Sequence, residues 1–282
     1  MPSVPVHDTW LHCEIVGSGP PALVMHGGLG LDHTYLRPAV DPLADRLRLV
    51  YYDHRGNGRS GRPPLDTLTM EQLADDAEAL AARLGFGRVL VIGASYGGLV
   101  AQELAVRHPG RVCGLVLVGT TAGQLGQSES AADDQGPPPP AELAHVLRHP
   151  PDVTPTGFTR AMRAVAHYMV HRADPGDLAA AFDRTVSDPA TWRRSFEVLS
   201  GWSVADRLNQ IEVPVLVLVG RHDVLSSPQQ ADRIARRLRH AEVVVFEDSG
   251  HALFYDEPAR FRAVVADWLV RNRRLPAPIV TI

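Results

Sequence analysis

The chain has 282 residues, 45% of them hydrophobic, and a formal net charge of −4 from 28 basic and 32 acidic side chains. That size supports one sizeable core, read as a single domain carrying an insertion, and the near-balanced charge leaves no electrostatic footprint for nucleic acid. Every basic residue other than histidine is arginine, and without lysine there is neither a Walker A phosphate loop nor a pyridoxal-phosphate Schiff base. Two cysteines, Cys13 and Cys113, are too few for a disulfide framework or a thiolate zinc site, and their apolar surroundings suit small buried hydrophobes. Residues 1–19 lack the basic-then-apolar pattern of a secretory leader, and no apolar run nears the roughly 20 residues of a membrane span. The expectation is a soluble, cytoplasmic protein with no membrane partner.

In chain order, Ala22 to Met25 is a short apolar run ending at His26-Gly27-Gly28, and Arg48 to Tyr52 is another ending at Asp53. Thr69 to Leu84 reads as a helix, with Met70, Leu73, Ala77, Leu80 and Leu84 on one face, Thr69 and Gln72 as a capping box, and Gly85 as the stop. Val89 to Ile92 is a continuous aliphatic run, typical of a strand buried on both faces. A helix over Leu99 to His108 and a strand over Gly114 to Val118 follow. This β-α-β-α-β alternation implies a parallel sheet covered by helices, with ligands at the carboxyl ends of its strands. The stretch Thr120 to Gln135 is small, polar and acidic, and Gly136 to Pro140 is proline-rich, so this region reads as a mobile hinge. From about Pro140 to Ser203 the patterns are helical only. Alternation resumes with a strand at Val215 to Val219, a helix at Ala231 to Leu238, a strand at Val243 to Phe246 and a last helix marked by Phe261, Val264, Val265, Trp268 and Leu269. The resulting division is a core of residues 1–121 and 208–282 with a helical cap over 122–207.

Gly93-Ala94-Ser95-Tyr96-Gly97 stands between a buried strand and a helix. Tiny residues two before and two after a serine let the chain make a sharp turn that exposes the hydroxyl above the sheet; a capping serine on a Gly-rich turn is the bland alternative. A serine hydroxyl needs a base. Among 13 histidines, His251 is singled out because it follows a strand and stands after both the serine and an acid, in the order Ser…Asp…His. The acid is Asp223, directly after the strand ending at Val219-Gly220, whose competing role is a helix cap; Asp248 is the weaker alternative, too close in sequence to His251. His26-Gly27-Gly28-Leu29-Gly30 follows a strand, and its glycines let a backbone N–H approach a developing oxyanion. The Gly28 and Tyr96 amides are the expected donors, and His26 is expected only to brace the loop.

These pieces, together with Asp53-His54-Arg55-Gly56-Asn57-Gly58-Arg59-Ser60, Gly220-Arg221-His222-Asp223 and Ser249-Gly250-His251, resemble the α/β-hydrolase superfamily in identity and order. The resemblance spans nearly the whole chain outside the cap. It is nearest to the proline-iminopeptidase-like branch, which also contains esterases, lactonases and biosynthetic hydrolases. It implies an α/β-hydrolase fold, a mostly parallel sheet flanked by helices, with an inserted helical cap and a Ser95, Asp223, His251 triad. The reading departs from the iminopeptidase pattern at Leu29 and Tyr96, where that group carries proline and tryptophan. Iminopeptidases hold the substrate amine with cap carboxylates; Glu197, Asp183 and Asp188 are available, but no motif places them.

The reaction expected from these roles is acyl transfer from a small or medium apolar ester, thioester or lactone to Ser95, followed by hydrolysis, with no metal or other cofactor. Aromatic and methionine side chains of the cap, among them Phe158, Met162 and Met169, suit an apolar substrate. Leu29, Tyr168, Trp192 and Trp202 are the substrate-binding candidates. The competing readings are an aminopeptidase acting on N-terminal proline, and a hydrolase-fold receptor or non-hydrolytic biosynthetic catalyst. The expected partner is a small molecule, with the chain a monomer or homodimer.

Overall fold

The computed structural model describes residues 3–28, 30–123, 139–148 and 154–272. Leu29 and most of the stretch expected as a mobile hinge therefore lie outside the described residues. Among the described residues, eight strands form one sheet: β1 (Ser3–Val6), β2 (Thr9–Val16), β3 (Pro21–Met25), β4 (Arg48–Tyr52), β5 (Val89–Ala94), β6 (Val112–Val118), β7 (Val215–Gly220) and β8 (Ala241–Phe246). Their order is β1-β2-β4-β3-β5-β6-β7-β8. All pairings from β4 to β8 are parallel, whereas β1–β2 and β2–β4 are antiparallel. The β1–β2 pair extends the expected parallel sheet at one edge.

Every residue of β3, β5, β6 and β7 is buried, as a strand covered on both faces requires. Successive side chains point to opposite faces. Val89 and Val91 pack with α2 (Met70–Arg83), α3 (Tyr96–Arg107) and α8 (Pro228–Arg237). Leu90 and Ile92 pack instead toward α1 (Arg37–Val40) and α10 (Pro258–Arg271), and into the cap. Each such aliphatic side chain contributes about 1.5–3 kcal/mol by leaving water. Cys13 and Cys113 are both buried, on β2 and β6. In α2 the Thr69 side chain caps the Gln72 amide, but the Gln72 side chain turns away to Asp76 Oδ1 at 3.0 Å. Only half of the expected capping box forms, because the Gln72 side chain is held as a donor to Asp76 and does not turn back to accept from the Thr69 N–H.

Between β6 and β7 the chain leaves the sheet, and its described residues there form four α-helices: α4 (Ala141–Arg148), α5 (Pro155–Val165), α6 (Pro175–Asp183) and α7 (Pro189–Leu199). The last three start on proline, whose missing N–H costs nothing at that position. Thr154, Asp174 and Asp188 cap them by accepting from Gly157, Gly176 and Thr191 amides. The short α9 (Leu253–Asp256) precedes α10. No described helix is long and apolar enough to cross a membrane.

Candidate active site

Ser95 ends β5 and precedes α3 with φ 51° and ψ −117°, a backbone state that L-residues rarely adopt. The flanking glycines explain why it is reached here. A Cβ on Gly97 would sit 2.2 Å from the Met25 carbonyl oxygen, and one on Gly93 would sit 2.6 Å from that of Gly97. The turn closes only with hydrogen at both positions. Ser95 N–H donates to the Val118 carbonyl at 2.8 Å, and the Ser95 carbonyl accepts from Gly98 N–H at 2.9 Å and Thr120 Oγ1 at 2.7 Å. The Ser95 side chain makes no cap bond to α3, so the capping-serine alternative does not describe it.

Asp223 follows β7 and is buried. Its Oδ1 accepts from the Leu225 and Ser226 amides at 2.8 and 2.9 Å, which fixes the carboxylate. It is not a helix cap, since α8 starts later under a complete Ser227–Gln230 capping box. His251 Nδ1 lies 3.0 and 3.1 Å from the two Asp223 oxygens. Burial disfavours the imidazolium, but the charge of Asp223 and its hydrogen bond outweigh burial, and the His251 pKa is raised above its ordinary value. Asp248, the alternative acid, is exposed and pairs with Arg172 at 3.5 Å.

Gly28 follows β3 with φ +46°. In the same loop the Gly27 N–H donates to Tyr35 Oη at 2.8 Å. His26 braces the loop: its Nδ1 pairs with the Gly27 carbonyl at 3.0 Å and its Nε2 accepts from His54 N–H at 3.1 Å. That bonding suits a neutral ring, in keeping with a pKa lowered chiefly by burial. Asp53 of the following loop is the buried acceptor for His33 Nδ1 at 2.6 Å and for Arg59 N–H at 2.9 Å. Burial works against its charge, yet these partners hold its carboxyl well below the usual range.

Ser95, Tyr96, Gly28 and His251 line one cavity of about 80 Å³. Its wall is otherwise largely apolar, with Leu31, Val118 and Leu225 from the core and Met162, Phe182 and Trp192 from the cap. Among the described residues, no aspartate, glutamate or arginine lines it. The three cap carboxylates considered for a substrate amine, Asp183, Asp188 and Glu197, are engaged elsewhere. Asp183 pairs with Arg163, Glu197 with Arg194, and Asp188 caps α7 while meeting Arg62. Among the described residues, no group of three or more His, Cys, Asp or Glu side chains is arranged to hold a metal ion.

The substrate-binding candidates fall in different places. Trp192 lines the cavity, and its indole Nε1 donates to the Leu147 carbonyl at 2.8 Å. A Cβ on Gly28 would lie only 3.2 Å from the Trp192 ring. Tyr168 is corrected: it lies off the cavity, its hydroxyl donating to Glu142 at 2.8 Å and its ring against His167. Trp202 is corrected too: its Nε1 donates to Glu103 at 3.2 Å and its ring packs in the core on the α3 face of the sheet. Leu29 is outside the described residues. Sequence reasoning missed Thr120, which holds the elbow carbonyl, and Tyr35, which takes the Gly27 amide; each is an isolated polar residue with no motif around it.

The profile of a family described as alpha/beta hydrolase fold matches residues 21–258. The chain belongs to the α/β-hydrolase fold family. Within it, the chain is 30% identical over 257 residues to pimeloyl-[acyl-carrier protein] methyl ester esterase of Nitrosomonas europaea, covering 89% of this chain and 96% of that one. It is similar to the crystal structure of the enol-lactonase from Burkholderia xenovorans LB400, with a TM-score of 0.78, 27% identity and coverage of 95% and 100%. It is similar also to the crystal structure of proline iminopeptidase from Mycobacterium smegmatis, with a TM-score of 0.73, 26% identity and coverage of 96% and 98%. The α/β-hydrolase sheet and its inserted helical region are thus shared with esterase and iminopeptidase relatives alike.

Proposed function

We propose that this α/β-hydrolase is a serine hydrolase cleaving an ester, thioester or lactone of a small or medium apolar substrate through an acyl-enzyme. The observation that carries the reading is the shared cavity. Ser95 at its strained turn and the Asp223-braced His251 both line it, in a wall where no described residue is an aspartate, glutamate or arginine that could hold an amine or a phosphate. Asp223 accepts a hydrogen bond from the Nδ1–H of His251, so Nε2 is the basic nitrogen that takes the Ser95 proton as the hydroxyl attacks the carbonyl. Negative charge then grows on the carbonyl oxygen. The first-turn amide of Tyr96 and the Gly28 amide are the donors for it, the Gly27 amide being committed to Tyr35. His251 returns the proton to the leaving group, then activates water to release the acid.

The ester and lactone relatives favour this reading. The iminopeptidase relative raises the second one, but a bound ammonium needs a carboxylate, and among the described residues none lines the cavity. A receptor role would keep the pocket without turnover. The three readings separate on p-nitrophenyl butyrate and proline p-nitroanilide. Turnover of the ester that is lost in Ser95→Ala supports the proposal. Faster cleavage of the anilide overturns it in favour of the aminopeptidase, and absence of Ser95-dependent turnover on both overturns it in favour of the receptor.

A further inference from the structure

The loop that carries His251 is not braced by the core alone. Asp256, at the end of α9 and 9% exposed, collects backbone amides from two separate parts of the chain. Its Oδ1 accepts from three consecutive cap residues, His171 at 3.0 Å, Arg172 at 2.7 Å and Ala173 at 2.7 Å. Its Oδ2 accepts from Gly250 N–H at 2.8 Å, the residue before His251, and also meets His171 N–H at 3.1 Å. The same cap segment grips the loop again from the other side, where Ala252 N–H donates to the Met169 carbonyl at 2.7 Å. His251 is thus bracketed by two residues whose amides are tied, directly or through one carboxylate, to cap residues 169–173. The acid loop is held alongside, since His222 N–H donates to the Ser249 carbonyl at 2.9 Å and the His222 ring stacks on that of His171 at 3.6 Å.

We propose that Asp256 is a positioning residue that couples the seating of the cap to the placement of His251. The proposal rests on His251 being the base. Backbone amides leave an acceptor no substitute among side chains, and a carboxylate has the lone pairs to take all four at once. Glu257 next door shows the contrast. It accepts from Ser249 Oγ at 2.7 Å and Asp248 N–H at 3.3 Å, supporting the same loop with no bond to a described cap residue.

Asp256→Asn is nearly isosteric but keeps one acceptor oxygen. Placing that oxygen on the three cap amides turns the NH2 group against the Gly250 N–H; the opposite flip does the reverse. Either way the link through residue 256 is broken while the volume is kept, and the Ala252–Met169 bond is left as the remaining tie. The test measures p-nitrophenyl butyrate hydrolysis across pH for wild type and Asp256→Asn, each normalised to serines titrated with a fluorophosphonate, so that misfolded protein is not counted. The expected result is a kcat lowered at least tenfold per titrated site, since displacement of a catalytic group by about 1 Å costs on the order of 10²-fold. The ascending limb of kcat/KM should move to lower pH as the His251–Asp223 contact loosens. Asp256→Glu, which restores both oxygens, should recover part of kcat. An unchanged kcat and pH profile per titrated site, with only a lowered melting temperature, would overturn the coupling and leave the serine-hydrolase reading standing. Absence of Ser95-dependent turnover in wild type would instead remove that reading and the coupling with it.

Discussion

At Ser95 a side-chain-bearing residue holds φ 51°, a state costing on the order of 1–3 kcal/mol. The surrounding bonds to Val118, Gly98 and Thr120 hold it there. The same geometry makes Gly97 intolerant: the atom 2.2 Å from a new Cβ is a backbone oxygen that no rotamer change can move. Gly97→Ala is expected to melt at least 10 °C below wild type, checked by thermal denaturation; an unchanged melting temperature would contradict the close packing of β3 on the elbow. The raised pKa of His251 has two consequences with opposite pH ranges. For stability, the folded state binds that proton more tightly than the unfolded chain. The contribution is therefore complete below the ordinary value of 6.5 and fades as pH rises through the raised value. For catalysis the base must be neutral, so the ascending limb of kcat/KM should lie above pH 6.5. In Asp223→Asn the limb should move to lower pH and kcat should fall by roughly 10⁴, the scale known for such a change in serine proteases. A pH–rate profile of both proteins checks it, and an unshifted limb would contradict the pairing.

Among the elements, the cap decides what reaches Ser95. Trp192 on α7 presses on Gly28, and Asp188 at the head of the same helix sends its amide to the Gly30 carbonyl at 2.8 Å. Thr191 Oγ1 reaches the Gly56 carbonyl at 2.9 Å and Val186 N–H reaches Asp32 at 2.9 Å. The start of α7 is therefore pinned to both glycine-rich loops, and Trp192 is held over the amide proposed for the oxyanion. In a cavity of about 80 Å³, where one water needs roughly 10–15 Å³, a short acyl chain fits. Trp192→Ala should raise the ratio of kcat/KM for p-nitrophenyl octanoate over butyrate at least tenfold, while costing about 3–5 kcal/mol of stability. An unchanged chain-length profile would show that the indole does not bound the acyl site. These roles were not legible in the sequence. An amphipathic helix says that one face is apolar, not whether that face meets a core or a cavity. Trp192 and Trp202 look alike as residues, yet one lines the cavity and the other donates to Glu103. The strands β1 and β2 were hidden for a related reason. As the two antiparallel strands at one end of the sheet, β1 at its edge and β2 beside it, they are covered on alternate or uneven positions, so they lack the continuous aliphatic run that marks β3, β5, β6 and β7.

For the whole molecule, the core architecture was legible because parallel strands must be buried on both faces and must hand their ends to loops. Each motif therefore lies at the carboxyl end of a strand, where the sheet gathers residues 28, 95, 223 and 251 from distant parts of the chain. The Arg55 side chain serves that framework and not the chemistry. It is buried, with its guanidinium on Asp76 at 2.6 and 2.8 Å and on Asp8 at 2.9 Å. Removing one partner of a buried pair leaves the other uncompensated, at a cost of about 3–5 kcal/mol. Arg55→Met should lower the melting temperature by about 10 °C while kcat per titrated serine stays near wild type; a loss of kcat without loss of stability would assign Arg55 to the site. The most direct test of the central claim is peptide mass mapping after fluorophosphonate treatment. The expected result is a single adduct on Ser95 that forms at least 10²-fold more slowly in His251→Ala. An unmodified Ser95, or labelling that proceeds at the same rate without His251, would contradict it.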